Sequence, residues 1–181
     1  TDALNHTWTY EYDGAYRLTR VTDPIGQGTR YAYDGIGRTT KVVAGTSSDV
    51  DPTEHFYSPT TGQLTKVRYT AGASTADAEY FYDGAGRLTR LTDWYGGANG
   101  LRYAYDAAGR LTALIDYDDA TLTYAYDAAG QVTQMTDYHG STFTYTYHDD
   151  GQLSTVTAPG SKTWVYSYNA LGQVTGVSIP N

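Results

Sequence analysis

The run Thr121-Leu122-Thr123-Tyr124-Ala125-Tyr126-Asp127-Ala128-Ala129-Gly130-Gln131-Val132-Thr133-Gln134-Met135-Thr136-Asp137 holds the grammar of the whole chain. Leu122, Tyr124 and Tyr126 alternate with Thr121, Thr123 and Ala125, the period-2 pattern of a strand with one half-buried face. Asp127-Ala128-Ala129-Gly130 then places Asp at the first and Gly at the fourth position of a type I turn. The Asp carboxylate accepts a backbone N–H of the turn, and Gly takes the left-handed conformation that leads into a hairpin bulge. A second strand over residues 131–136 follows, and Asp137-Tyr138-His139-Gly140 turns the chain back.

The tyrosine before the turn recurs eight times, as Tyr12, Tyr33, Tyr57, Tyr82, Tyr105, Tyr126, Tyr147 and Tyr168, at spacings of 21, 24, 25, 23, 21, 21 and 21. A period in that range means one supersecondary unit copied many times. The structural positions of the repeat are Tyr12, Tyr33, Tyr82, Tyr105, Tyr126, Tyr147 and Tyr168, the turn acids Asp34, Asp83, Asp106 and Asp127, and the turn glycines Gly37, Gly86, Gly109 and Gly130. The flanking copies drift: Tyr16 stands at the turn glycine of the first, and Tyr57-Ser58-Pro59-Thr60-Thr61-Gly62 adds a residue in the third. Residues 44–53 and 70–78 lengthen two connections and, being rich in Gly, Ser, Thr and Asp, are expected as surface loops.

Composition points the same way. Tyr and Thr dominate, Glu is confined to Glu11, Glu54 and Glu79, and Met135 is the single Met, a mixture that favours strands over helices. The formal net charge is −8 and uneven: residues 1–110 hold eleven Lys or Arg against thirteen Asp or Glu, residues 111–181 only Lys162 against seven Asp. Without a basic stripe, a nucleic acid or anionic membrane partner is not expected. No stretch approaches a membrane span, no secretory leader opens the chain, and no cysteine supplies a disulfide, a thiolate or a nucleophile.

The second strand is ambiguous. Leu88 and Leu91, like Val132 and Met135, are three apart, so a regular strand would send them to opposite faces. A bulge that resets the register, apolar surface on both faces, and a short helix each accommodate that spacing. Eight hairpins give about sixteen strands, roughly 75 Å across at about 4.8 Å each, and open twisted sheets of that width coil. Equivalent tyrosines then lie two strands apart, so the rings form a packing band with Leu111 or Val132 among them rather than a stack.

The pattern Tyr-x-Tyr-Asp-x-x-Gly-Arg-Leu-Thr, whole at Tyr80 to Thr89 and at Tyr103 to Thr112, resembles the YD repeat of the Rhs/YD-repeat family, in register over nearly the whole chain. The resemblance implies an all-β fold of tandem hairpins forming a long, curved or spiralling antiparallel sheet, a segment of a hollow β-shell. In bacterial Rhs toxins and insecticidal toxin complexes such a shell encloses a cytotoxic C-terminal segment; in teneurins it is part of a cell-adhesion receptor. It further implies a secreted or cell-surface protein, bacterial in origin, and a single array over residues 1–181 that is a fragment of a longer one. Thr1-Asp2 matches the Thr-Asp that ends other second strands, as at Thr136-Asp137. The family's downstream Asp-Pro-x-Gly self-cleavage core is not expected here, since Asp23-Pro24-Ile25-Gly26 has that wording in an ordinary inter-repeat turn.

No catalytic, cofactor or metal site is expected. His6, His55, His139 and His148 are scattered, the turn aspartates are explained as turn caps, and Gly-x-Gly at Gly35 to Gly37 and Gly84 to Gly86 has no following helix to hold a phosphate. Asn5-His6-Thr7 fits a glycosylation sequon. A repeat presents like groups again and again, whereas catalysis needs unlike groups at one place. The expected function is a structural wall that protects or confines a neighbouring toxin-like segment, with the rest of its own longer chain as partner. The alternatives are a surface binding glycans or a cell-surface protein, through Trp8, Trp94, Trp164 and tyrosine faces, and a fibre self-associating through its sheet edges.

Overall fold

The computed structural model describes residues 7–45, 51–94 and 99–179, which divide into two compact units, Thr1–Ala98 and Asn99–Asn181. Thr1-Asp2 and the Asn5-His6 part of the sequon lie outside the described residues. The first unit holds β1 (Thr9–Tyr12), β2 (Leu18–Thr22), β3 (Gly28–Tyr33), β4 (Thr39–Ala44), β5 (Thr53–Tyr57), β6 (Leu64–Ala71), β7 (Ser74–Tyr82) and β8 (Leu88–Thr92). The second holds β9 (Leu101–Tyr105), β10 (Leu111–Ile115), β11 (Thr121–Tyr126), β12 (Val132–Thr136), β13 (Thr142–Tyr147), β14 (Leu153–Thr157), β15 (Thr163–Tyr168) and β16 (Val174–Ser178). Inside each unit every strand pairs antiparallel with its sequence neighbours, and neither unit's first strand pairs with its last. No helix occurs among the described residues, so none is long and apolar enough to cross a membrane. The fold is the expected all-β array of tandem hairpins.

A bulge settles the second strand. Tyr126 faces Val132 and Ala125 faces Gln134, which leaves Thr133 without an opposite residue. The extra residue resets the pleat, so Val132 and Met135, three apart, land opposite Tyr126 and Tyr124 on one face. The same shift occurs between Ala32 and Tyr33, Phe56 and Tyr57, Phe81 and Tyr82, Thr146 and Tyr147, and Ser167 and Tyr168. The turn glycine sets it up: Gly130 has φ 87°, a conformation an L side chain enters at a cost of roughly 1–2 kcal/mol. Tyr16 takes that position in the first hairpin at φ 60°.

One tyrosine-lined face runs through each unit. In the second it carries Tyr103, Leu114, Leu122, Tyr124, Met135, Phe143, Tyr145, Val156 and Trp164 in cross-strand register. The rings are half-buried against neighbouring strands rather than covered by a second layer. Full burial among the described apolar residues is limited to Val43, Val67 and Ala78, at 3%, 5% and 7% exposure, all where the first unit's strands are longest or most tightly paired.

One connection departs from expectation. Residues 70–78 are not a loop: they lengthen β6 and β7, which pair from Lys66↔Glu79 to Ala71↔Ser74 across a two-residue turn. Gly72, at φ 58°, is its first central residue, the glycine-first arrangement of a tight hairpin. The Ser, Thr and Ala around it read as loop by composition, but the turn made them strand.

Candidate functional site at the hairpin junctions

The side chains that recur from hairpin to hairpin converge where one hairpin meets the next. In the second unit, Asp106 Oδ1 accepts the backbone N–H groups of Ala108 and Arg110, both at 2.9 Å, while Oδ2 accepts Arg110 Nε at 2.7 Å. The guanidinium so held donates from Nη1 to the carbonyl of Asp127, in the next turn, at 2.8 Å. Its carbon stands 4.7 Å from the centroid of the Tyr126 ring, within cation–π range. The Tyr126 hydroxyl closes the circuit by donating to the carbonyl of Leu111 at 2.7 Å.

That last bond answers a need created by the bulge. The ladder between β10 and β11 runs from Ala113↔Thr123 to Ile115↔Thr121 and stops short of Leu111. A backbone carbonyl left there without a strand partner must find another donor, and the tyrosine hydroxyl reaches back over the gap. Tyr33 does this to Leu18 at 2.7 Å, Tyr57 to Thr39 at 2.8 Å, Tyr82 to Leu64 at 2.8 Å, Tyr147 to Val132 at 2.8 Å and Tyr168 to Leu153 at 2.9 Å.

The first unit repeats the circuit with small changes. Asp13 holds Arg17 at 2.7 Å; Arg17 donates to the Asp34 carbonyl at 3.0 Å and lies 4.9 Å from the centroid of Tyr33. Asp34 holds Arg38 at 2.6 Å; Arg38 donates to the Gly62 carbonyl at 2.8 Å and lies 4.3 Å from the Tyr57 centroid. Where glutamine replaces arginine the reach survives without the charge: Gln63 Nε2 donates to Gly86 at 3.0 Å and Gln131 Nε2 to Gly151 at 2.9 Å.

Electrostatics follow from these bonds. The Arg17 backbone N–H, with its guanidinium, holds the Asp13 carboxyl below the usual range. Asp83 and Asp106 are lowered the same way by Arg87 and Arg110. At Asp34 partial desolvation pushes upward, but the backbone and side-chain donors of Arg38 outweigh it. Burial pushes the Tyr147 phenol up.

The predicted positions are not all equivalent in space. Gly37, Gly86, Gly109 and Gly130 all sit at φ between 82° and 89° in the turns headed by Asp34, Asp83, Asp106 and Asp127. Tyr105 pairs across the hairpin with Leu111. Tyr12 stands apart, 58% exposed on β1. Sequence reasoning missed Arg17, Arg38, Arg110, Gln63 and Gln131 as the cross-hairpin links. Their signal was a long donor side chain directly after the turn glycine, or after Tyr16 in its place, in copy after copy. Tyr57, left out of the predicted set, makes the same bond as its counterparts. Among the described residues no three His, Asp or Glu side chains gather as a metal cluster.

Residues 79–181 match the family model of the teneurin YD-shell, and residues 1–24, 17–48 and 59–98 match that of the RHS repeat. The chain belongs to the YD-shell family. No curated protein matches it in sequence. Among solved structures, the YD-shell fold seen here is similar to the crystal structure of TcdB2-TccC3 without its hypervariable C-terminal region, with a TM-score of 0.56, 16% identity, and coverage of 95% of this chain and 11% of that one. TcdB2-TccC3 in a second crystal structure gives 0.54 and 17%, covering 95% and 12%. The Tc holotoxin pore of Photorhabdus luminescens gives 0.53 and 17%, covering 95% and 11%. This chain thus spans about a ninth of those it resembles. The family and fold are those of a shell-forming repeat, not of an enzyme family.

Proposed function

We propose that this chain is a section of wall in a secreted or cell-surface protein, bacterial in origin, in which the YD array continues beyond residues 1–181. The wall confines or shields a neighbouring, toxin-like segment of the same longer chain. The observation that carries this reading is the junction circuit: on the tyrosine edge, Arg or Gln after the turn and the repeat Tyr join one hairpin to the next through bonds such as Arg110 to Asp127 and Tyr126 to Leu111. Such links favour lateral continuity of a single layer, which is what a wall requires and a catalytic pocket does not. Six of the repeat tyrosines direct their hydroxyls to backbone carbonyls and lie half-buried, which supports a packing role over an open row of rings for stacking sugars.

The test is protease protection in the full-length protein. With the wall intact, the segment it encloses is expected to resist a protease that digests the same segment once it is freed. Substituting Arg17, Arg38 and Arg110 together by Met, which removes three links, is expected to speed its cleavage. Equal cleavage of the enclosed and freed segment would overturn the reading.

A further inference from the structure

Asn99-Gly100 is the one Asn-Gly pair in the sequence, and it stands in the connection that leads into β9. Asn99 is exposed, and Gly100 takes φ 63°. Asparagine followed by glycine is the pair in which a side-chain carboxamide and the next backbone nitrogen meet most readily, because glycine has no Cβ to stand between them and moves freely through φ and ψ. The Asn99 carboxamide makes no hydrogen bond among the described residues. Asn169, in contrast, is tied down: its Oδ1 accepts the backbone N–H groups of Leu171 and Gln173, each at 3.0 Å, and its Nδ2 donates to Gln173 Oε1 at 2.9 Å.

Four Asp-Gly pairs, at Asp13, Asp34, Asp83 and Asp150, offer the same ring closure from a carboxyl, and their turns oppose it. Asp34 Oδ1 accepts from the backbone N–H groups of Ile36 at 3.1 Å and Arg38 at 2.9 Å, and Oδ2 from Arg38 Nε at 2.6 Å, so the carboxyl is aimed past the Gly35 nitrogen. Asp13 and Asp83 are held in the same way, and Asp150 Oδ1 accepts from the backbone N–H of Gln152 at 3.1 Å. At Asp13 and Asp83 the backbone N–H and guanidinium of the following arginine hold the carboxyl below its usual range. Such a group is ionised at neutral pH, and a carboxylate is a poor electrophile. Asn99 carries a neutral carboxamide that no such bond engages.

We propose that Asn99 is a modification site, converted by spontaneous deamidation through a cyclic imide. The backbone nitrogen of Gly100 loses its proton to base and attacks Asn99 Cγ. The bond from Cγ to Nδ2 breaks, and the carboxamide nitrogen takes up a proton and leaves as ammonia. Water then opens the imide: addition at the side-chain carbonyl gives an aspartyl residue, and addition at the main-chain carbonyl gives an isoaspartyl residue whose backbone runs through Cβ and Cγ. One water is consumed and one ammonia released, with no oxidant or reductant. Either product adds a negative charge to a chain whose formal net charge is already −8. The isoaspartyl product also lengthens the main chain by one atom just ahead of Leu101, where β9 begins. The pairing of β9 with β10 reaches only as far as Arg102↔Ile115, so the change falls in the connection and leaves the hairpin paired. It involves neither the junction circuit nor what the wall encloses, so its failure leaves the protection assay above unaffected.

Peptide mapping of the full-length protein, aged at neutral and at mildly alkaline pH in water enriched in heavy oxygen, tests it. Trypsin releases Leu91 to Arg102 as one peptide. That peptide is expected to gain the mass of an amide-to-acid exchange with one heavy oxygen incorporated, and to do so faster at the higher pH, because base removes the Gly100 proton. Part of the product is expected to resist a protease that cuts before aspartate but not before isoaspartate. Gly100→Ala, which puts a Cβ beside the attacking nitrogen, and Asn99→Gln, which needs a larger ring and leaves the glycine in place, are each expected to slow the conversion about tenfold or more. Far-UV circular dichroism identical to that of the unmodified protein establishes that the variants are folded. Peptides carrying Asn169 and the Asp-Gly pairs are expected to stay unchanged over the same period. An unchanged Leu91 to Arg102 peptide overturns the proposal, as does conversion of Asn169 or of Asn99→Gln at the rate of Asn99.

Discussion

The turns on the two edges of these hairpin rows are built alike and linked differently. On the tyrosine edge Asp106 caps its turn through Ala108 and Arg110; on the opposite edge Asp137 caps through His139 and Ser141, at 2.9 and 2.8 Å, and Asp23 through Ile25 and Gln27, at 3.0 and 2.7 Å. The divergence begins at the fifth residue. Arg17, Arg38, Arg110, Gln63 and Gln131 bridge to a neighbouring turn, whereas Gln27, Ala120 and Ser141 make no such side-chain bond among the described residues. Turn formation is therefore separable from hairpin-to-hairpin linkage. An Asp-x-x-Gly motif folds the chain back, and the added Arg or Gln and Tyr tie the turn region to its neighbour beyond the reach of the backbone ladder.

Breaking the tyrosine edge should have the largest effect. Tyr126→Ala removes a half-buried ring and leaves the Leu111 carbonyl unpaired, with an expected loss of about 2–3 kcal/mol in urea unfolding. Tyr138→Ala, at a turn tip on the other edge and 65% exposed, should stay within about 0.5 kcal/mol. Similar losses for both would erase the distinction between the edges.

Turn geometry gives the next effect and sharpens the comparison, because it acts before any link is made. Gly130→Ala at φ 87° is expected to cost about 1 kcal/mol, with nothing within 4 Å of the new Cβ to blame for a clash. Tyr16→Gly, which relieves φ 60°, should raise the melting temperature. A loss on Tyr16→Gly would mean that the ring makes a contact worth more than the strain.

Acid provides a smaller, graded test. The carboxyls of Asp13, Asp34, Asp83 and Asp106 lie below their ordinary range in the folded chain, so their bonds contribute fully above about pH 4 and fade as the pH falls through the folded values. The melting temperature is expected to drop between pH 5 and pH 2 by the sum of several such turns. Asp106→Asn, which cannot titrate, should make that drop shallower; an unchanged slope would remove Asp106 from the acid response.

Most of this architecture was legible in the residues themselves. Tyr-Asp-x-x-Gly fixed the turn, and the alternation of Leu122, Tyr124 and Tyr126 fixed the face, because both depend on local backbone preferences. The spacing of Val132 and Met135 stayed open because a bulge is visible only as a register shift against the partner strand. Residues 70–78 misled because composition cannot tell a Thr- and Ser-rich strand from a loop; Gly72 at the first turn position was the available cue. The links made by Arg17, Arg38 and Arg110 were hidden for a different reason. They join residues seventeen to twenty-four apart, and nothing in a single repeat says where a long side chain ends.

Outside the tyrosine-lined face, the two units follow separate courses. The first carries the Arg68–Asp77 ion pair at 2.8 Å and a cation–π contact of Arg90 over Phe81, 4.0 Å from the ring centroid. The second carries hydroxyl pairs, Thr146 with Thr155 at 2.7 Å and Thr157 with Thr163 at 3.0 Å. That face takes no part in the junction circuit, so its chemistry is free to differ while the tyrosine face holds to one pattern.

The latch itself is tested most directly by removing single oxygen atoms from one strand. Tyr126 and Tyr124 lie on the same face of β11, but only the Tyr126 hydroxyl reaches a carbonyl, that of Leu111. Urea unfolding of Tyr126→Phe is expected to show a loss of about 1–2 kcal/mol, and that of Tyr124→Phe a change within about 0.5 kcal/mol. Equal losses, or no loss at Tyr126, would contradict the assignment of the tyrosine hydroxyl as a latch that extends the hairpin-to-hairpin junction beyond the backbone ladder.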